Sequence, residues 1–331
     1  MHRKNIRNTV NVILSILLGA GILWWMYRGF DFGKMFGVLK NEMNWGFMML
    51  SMVFGVTAQV FRGLRWKQSL EPIGEHPKVS TCIHAVFLSY ASSLIIPRVG
   101  EVTRCGVLNR YDKVSFAKAF GTVVTERIID TLLILIIVAA VCLSQIGVFT
   151  SFFSKTGTNF GHFFSQFTLT GYIVTAICII ITVCFLYWGM KKVAKFVNFR
   201  KILGDIIEGI KSVGAVRRKW LFILYTLGIW VSYFLHFYIT FFCFQFSEGL
   251  GVMTALVAFV VGSIAVIVPT PNGMGPWHFA VKTIFVLYGV AAVNAETFVL
   301  IVHTLQTALI PILGVFSLIC LSFRTPAKSV E

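Results

Sequence analysis

Glu126, Arg127 and Asp130 interrupt an apolar run that extends from Ala119 to Leu143. An ionisable side chain at the centre of a bilayer costs roughly 2.5–3.5 kcal/mol on insertion scales, so three in one run require partners or a task. On a helix Glu126 and Asp130 stand four apart and share a face, while Arg127 and Asp130 stand three apart and can pair. Two chemistries fit: an internal ion-pair clamp, or part of a polar path for a proton or a headgroup. A second group follows a helix break at Pro97-Arg98-Val99-Gly100-Glu101 and comprises Arg98, Glu101 and Arg104. A guanidinium beside a broken helix can hold a phosphate in bidentate fashion, with Glu101 orienting Arg104 from three residues away. The alternative is a solvated turn. A second break, Pro269-Thr270-Pro271-Asn272-Gly273-Met274-Gly275-Pro276, exposes backbone groups that need partners at membrane depth. Pro97, Gly100, Pro269, Pro271, Asn272, Gly273 and Gly275 are the expected hinge positions. His278 follows at once, as a structural histidine or as part of the same site. Arg62, Arg65 and Trp66 close the second apolar run, where an interface anchor suffices to explain them.

The elements that must position these residues are membrane spans. The chain of 331 residues is 57% hydrophobic and 13% charged, against about 25% charged in soluble domains. This excludes an ordinary soluble domain and excludes disorder. The apolar residues gather in blocks long enough to cross a ~30 Å hydrocarbon core. Six full spans are expected, near 9–27, 45–61, 119–143, 169–189, 220–246 and 297–322. Two further blocks, 80–97 and 251–268, each end in one of the breaks, the second being followed by another apolar stretch, 277–293. The fold class is all-α: a polytopic membrane helix bundle forming a single integral membrane domain over 1–331.

The net charge of +16 is a topology signal. Nine basic residues lie in 62–118 and nine in 190–219, against one in 145–168 and none in 247–250. Both termini and the two basic stretches are therefore expected on the cytoplasmic side of a prokaryotic inner membrane. The loop 28–44, with three basic residues, fits this less well. With those sides fixed, block 80–97 enters and returns from the inside and block 251–268 from the outside, as two broken re-entrant hairpins. The halves 1–144 and 169–322 then read as inverted repeats, with Trp45 matching Trp220, Pro97 matching Pro269 and Ala119 matching Thr297. The plainer alternative is two ordinary spans kinked by Pro and Gly. The segment 190–219 alternates apolar and charged residues at helical spacing and reads as an amphipathic helix on the inner leaflet or packed beneath the spans.

Several chemistries lack their motifs. The seven cysteines form no CxxC pair, and GxGxxG, Walker A, HExxH and GxSxG do not occur. No cofactor, metal site or nucleic-acid partner is expected.

Pro97-Arg98-Val99-Gly100-Glu101-Val102-Thr103-Arg104, followed by Thr125-Glu126-Arg127-Ile128-Ile129-Asp130, resembles the paired P-x-x-G-E-x-x-R … E-R-x-x-D signature of the lysylphosphatidylglycerol synthase transmembrane, or flippase-like, family. The break at Pro269–Gly275 is similar to that family's P-x-P-G-G-x-G-x-x-E motif, and Arg65-Trp66 also resembles it. Two positions depart: Asn272 stands where the family often has glycine, and His278 where it often has glutamate. A changed pH response at His278 is the expected consequence.

The resemblance implies an eight-segment membrane domain that moves a lipid between leaflets. Arg98, Glu101 and Arg104 would bind a headgroup, and Glu126, Arg127 and Asp130 would line an internal polar cavity. The partner would be an anionic or zwitterionic phospholipid or a polyprenyl phosphate, with a separate enzyme or a homo-oligomer left open. The family's synthases carry a further aminoacyl-transferase domain, so this chain is expected to act as a transporter rather than to make aminoacyl lipid. The competing expectation is a membrane-embedded enzyme or accessory subunit acting on polyprenyl-phosphate-linked glycans, for which Glu126 with Asp130 is the only plausible acid–base pair.

Overall fold

The computed structural model describes residues 32–96, 99–147, 212–268 and 270–324, together with Gly21, Leu23, Trp24, Tyr27 and Arg28. The expected span 169–189 and most of 9–27, residues 190–211 of the amphipathic segment, Pro97, Arg98 and Pro269 lie outside the described residues. Every regular element among those described is helical. The helices are α1 (Phe32–Asn41), α2 (Trp45–Leu70), α3 (Val79–Ile95), α4 (Gly100–Asp112), α5 (Phe116–Ser144), α6 (Lys219–Tyr238), α7 (Val252–Ala265), α8 (Pro276–Leu287) and α9 (Ala292–Ser322).

Among the described residues, three helical stretches are long and apolar enough to cross a membrane: Trp45–Ile73, Lys219–Cys243 and Ala292–Ser322. The outward faces are apolar where a soluble protein would carry charge. Leu132, Leu135, Ile136 and Leu143 on α5, and Ile312, Val315 and Leu318 on α9, are all more than half exposed. Such a surface is stable in lipid and not in water.

Three boundaries differ from the sequence reading. The region 28–44 was expected to be a loop, but it holds α1, a ten-residue helix. Asn44 separates α1 from α2, and its side-chain oxygen accepts from the amides of Gly46 (3.0 Å) and Phe47 (3.4 Å). Second, α2 runs on to Leu70 rather than stopping near residue 61. Arg62, Arg65 and Trp66 therefore lie inside a long helix. Third, the last span begins at Ala292 and contains Pro311. Proline has no N–H to give to the Thr307 carbonyl four residues back.

Each break separates two short helices packed on one another, and a glycine makes each contact. In the first hairpin the Gly100 amide donates to Ser93 Oγ at 3.2 Å. A Cβ at Gly100 would stand 2.1 Å from the Ser89 carbonyl oxygen. In the second, a Cβ at Gly262 of α7 would stand 2.8 Å from Trp277 Nε1 of α8. Small residues set the other crossings too: Gly55 receives the His236 ring, Gly228 the Phe61 ring and Gly314 the Ala91 methyl group. Close backbone approach of this kind replaces the hydrophobic effect as the source of helix association in lipid.

Among the described residues the interior has two apolar clusters. One is aromatic, with Phe237, Phe241, Phe244, Phe285 and Phe298 linked by edge-to-face contacts. The other joins Trp66, Leu70, Cys82, Val86, Cys105, Leu108 and Val123. The buried charged groups border the second, where Arg104 lies against Trp66.

Candidate functional site

The inward face of α2 is the least apolar part of that helix. Gly55, Gln59, Arg62, Arg65 and Trp66 recur at spacings of three and four and are all in or near its buried stripe. Across from them, α5 presents Glu126 and Asp130 on one face, one turn apart. The result is a closed ion cluster. Arg62 Nη1 donates to Asp130 Oδ2 at 2.7 Å, and Arg65 Nη1 to Asp130 Oδ1 at 2.8 Å. Arg104 Nη1 of α4 donates to Glu126 Oε2 at 2.9 Å, and Arg65 Nε stands 3.6 Å from Glu126 Oε1. Arg65 also reaches Thr226 Oγ1 of α6 at 3.4 Å. The Arg104 guanidinium lies 4.6 Å from the centre of the Trp66 ring, whose Nε1 donates to Thr122 Oγ1. Arg65 and Glu126 are completely buried.

Three guanidiniums meet two carboxylates, so the cluster holds one surplus positive charge. Its donors are also in excess. Among the described residues, Arg62 Nε, Arg65 Nη2 and both Nε and Nη2 of Arg104 have no hydrogen-bond partner. A guanidinium carries five N–H groups in a fixed fork, and two carboxylates cannot fill fifteen.

The cluster revises several expected pairings. Arg127 does not pair with Asp130. It turns away from the cluster, and its Nε stands 3.0 Å from Glu101 Oε1 in a half-exposed pair. Glu101 therefore does not orient Arg104. The reason is geometric: partners three apart on one helix give way when a neighbouring helix brings a better-placed opposite charge into the interior. Arg62, Arg65 and Trp66 are not surface anchors: all three side chains are buried, on a helix that continues past the point where the sequence reading ended it.

Beside this cluster lies a cavity of about 360 Å³ lined from α2, α3, α6, α7, α8, α9 and the turn between α7 and α8. Gln59, Tyr90, Trp230, Tyr233, His236, Trp277, His303 and Gln306 contribute to its wall, which contains none of Glu126, Arg127 and Asp130. Those residues were expected to line an internal cavity; Glu126 and Asp130 instead stand behind the wall, held by arginines. Tyr90 and Tyr233 mark the boundary. Their hydroxyls are 2.7 Å apart, and the Arg62 guanidinium lies 5.9 Å from the Tyr233 ring.

The second break closes another side of the cavity. Asn272 has φ +51°, in the left-handed region. Glycine enters this region freely and asparagine is the best tolerated alternative, which accounts for asparagine at a position where the family often has glycine. A ring of hydrogen bonds fixes the turn to α9. Asn272 Nδ2 donates to Thr307 Oγ1 (2.7 Å), and the Thr307 hydroxyl stands 3.5 Å from His303 Nδ1. His303 Nε2 stands 3.1 Å from the Asn272 carbonyl, which only accepts, so the proton sits on Nε2. Asn272→Ala keeps the strained backbone and loses the side-chain bond, so its melting temperature should fall well below that of Asn272→Gly. Left-handed backbone costs a non-glycine residue about 1–2 kcal/mol, and the gap between the two variants in a thermal-unfolding assay measures it.

His278 has a local task. It is the third residue of α8, and its Nδ1 accepts from the Gly275 amide at 3.3 Å. A glutamate three residues after the cap would accept the same N–H. The exchange of glutamate for histidine thus preserves an acceptor at the helix start. The His278 and His303 rings are 4.4 Å apart.

Long apolar helices, apolar outward faces and glycine-mediated crossings define an all-α membrane protein. A model of the lysylphosphatidylglycerol synthase TM region matches residues 12–314, and the chain belongs to that family. Among curated proteins, a stretch of 133 residues is 25% identical to "Glycosyltransferase AglD" of Haloferax volcanii, covering 40% of this chain and 21% of that protein. A stretch of 138 residues is 28% identical to "UPF0104 membrane protein MJ1595" of Methanocaldococcus jannaschii, covering 41% of this chain and 40% of that protein. The matched stretches thus span well under half the length of these relatives. No solved structure matches the chain.

Proposed function

We propose that the protein moves a phospholipid or a lipid-linked intermediate between the leaflets of a prokaryotic inner membrane, with both termini on the cytoplasmic side. The observation that carries this reading is a cavity with polar groups set in a mostly apolar wall, inside an apolar-surfaced bundle and next to a buried cluster with one surplus positive charge and unfilled guanidinium donors. In such a setting a phosphate near Arg62 or Arg104 gains charge-assisted hydrogen bonds that nothing else supplies. Glu101 and Arg127, at a half-exposed rim, serve as a polar approach rather than a seal. The two hairpins and the inverted-repeat reading fit a site exposed to each leaflet in turn.

The enzyme reading, favoured by the name of one relative, has less support. Glu126 and Asp130 already accept from arginines and stand outside the cavity wall, so neither is free to exchange a proton with a bound lipid.

Reconstitution of the full chain into liposomes with fluorescent phospholipids and polyprenyl phosphate tests the proposal. Protein should speed equilibration of at least one lipid between leaflets. Ser263→Phe, which fills the cavity wall, should abolish that gain while the protein still elutes as a folded species. Rates equal to those of empty liposomes for every lipid overturn the transport reading, and product released from a lipid-linked sugar favours the enzyme.

A further inference from the structure

The cavity wall has a chemical character that the charge cluster does not share. It contains no lysine, arginine or carboxylate. Its polar side chains carry amides, phenols, imidazoles, indoles and the hydroxyls of Ser263 and Thr307. Two of these atoms are buried and lack any hydrogen-bond partner among the described residues: Gln59 Oε1 on α2 and Trp230 Nε1 on α6. The first can only accept a hydrogen bond and the second can only donate one.

This pairing discriminates among headgroups. Phosphate oxygens only accept, so they would satisfy Trp230 and repel the Gln59 oxygen. An ammonium only donates, so it would satisfy Gln59 and leave Trp230 bare. A hydroxyl does both, and a set of hydroxyls on one ring reaches several wall groups at once. Leaving either buried atom unmade costs about 1–3 kcal/mol. Trp230 and Trp277 add aromatic surface to the wall, against which the C–H face of a sugar ring can lie. The volume of about 360 Å³ falls within the ~300–1,000 Å³ range of small-molecule sites.

We infer that the cavity holds an uncharged, polyhydroxylated headgroup, a sugar carried on a lipid. The inference rests on the transport reading for its purpose and names the class of cargo. The lipid arm is either a diacylglycerol or a polyprenyl phosphate. In the second case the phosphate would lie toward Arg62, across the Tyr90–Tyr233 pair.

Native mass spectrometry of the purified full chain reads this directly. The probes are monoglucosyl dioleoylglycerol, polyprenyl phosphoglucose and dioleoylphosphatidylcholine, each added separately. One sugar lipid should be retained per chain in preference to phosphatidylcholine, whose headgroup has no hydrogen-bond donor for Gln59. Gln59→Leu and Trp230→Phe, which keep volume and remove one hydrogen-bonding atom each, should weaken sugar-lipid retention about tenfold and leave phosphatidylcholine unchanged. Retention of both sugar lipids assigns the sugar alone; retention of only the phosphoglucose lipid assigns sugar and phosphate together. Equal retention of phosphatidylcholine, or sugar-lipid retention untouched by both exchanges, overturns the inference. The order of retention in the unaltered protein decides the matter even where both exchanges prevent folding. Sugar-lipid binding without movement in liposomes would sink the transport reading and leave this one standing.

Discussion

Glu126→Gln will cost the protein about 3–5 kcal/mol, the range for breaking one partner out of a buried ion pair. Glu126 is the carboxylate of Arg104 and also faces Arg65, and both arginines are buried. Without its charge, three guanidiniums share Asp130 alone. The melting temperature in detergent, read by fluorescence-detected size exclusion, should fall sharply. Arg127→Gln is the control. It removes one charge, of opposite sign, one position away, from a half-exposed pair worth at most about 1 kcal/mol, so its shift should be small. Adding Arg104→Met to Glu126→Gln should restore part of the loss, because the orphaned guanidinium is removed with its partner. Equal shifts for Glu126→Gln and Arg127→Gln would mean that the cluster does not hold the bundle together.

Gly100→Ala should be the most damaging single methyl group at the glycines of the described helices. The added carbon would stand 2.1 Å from the Ser89 carbonyl oxygen, 2.4 Å from Ser93 Oγ and 2.7 Å from Ser89 Oγ. The serine side chains can rotate, but the carbonyl belongs to α3 and moves only if the helix moves. The first hairpin therefore cannot close as it stands, and α4 carries Arg104 away from Glu126. Gly106 lies in the same helix with nothing within 4 Å of its missing Cβ. Gly106→Ala should be neutral or stabilise by up to about 1 kcal/mol, since it only lowers the entropy of the unfolded chain. The contrast between two Gly→Ala exchanges within one helix isolates packing from helix propensity. A Gly100→Ala protein that purifies and melts like Gly106→Ala would show that the hairpin is looser than its contacts suggest.

The features legible in the sequence were those with a local cause. The breaks were visible because Pro and Gly forbid continuous helix, and the structure places helix ends at Ile95 and Gly100 and again at Ala265 and Pro276. The shared face of Glu126 and Asp130 follows from a spacing of four. The partners of that face did not follow. Arg62 and Arg65 meet Asp130 across sequence separations of 68 and 65, and no helical period reports a contact between separate helices. One signal was available and points the right way. Gly55, Gln59, Arg62 and Trp66 recur at helical spacing, so the polar stripe continues past residue 61 instead of ending there. The cavity was not legible, because its wall is drawn from six helices and a turn. The role of His278 was half legible: its place three residues after Gly275 marks a capping position, which charge-based reasoning passed over.

The separation between the arginines of α2 and the carboxylate that neutralises them has a consequence for biogenesis. At roughly 5–20 residues per second, the ribosome makes Asp130 about 3–13 s after it has made Arg62 and Arg65. Throughout that interval the nascent α2 carries two guanidiniums with no counter-charge from α5, and α3 and α4 are made before relief arrives. Final seating of α2 in the bilayer must therefore wait for α5. The helices from α2 to α5 are expected to settle as one cooperative unit, not helix by helix, and a chain stalled before Asp130 would present quality-control machinery with unpaired charge.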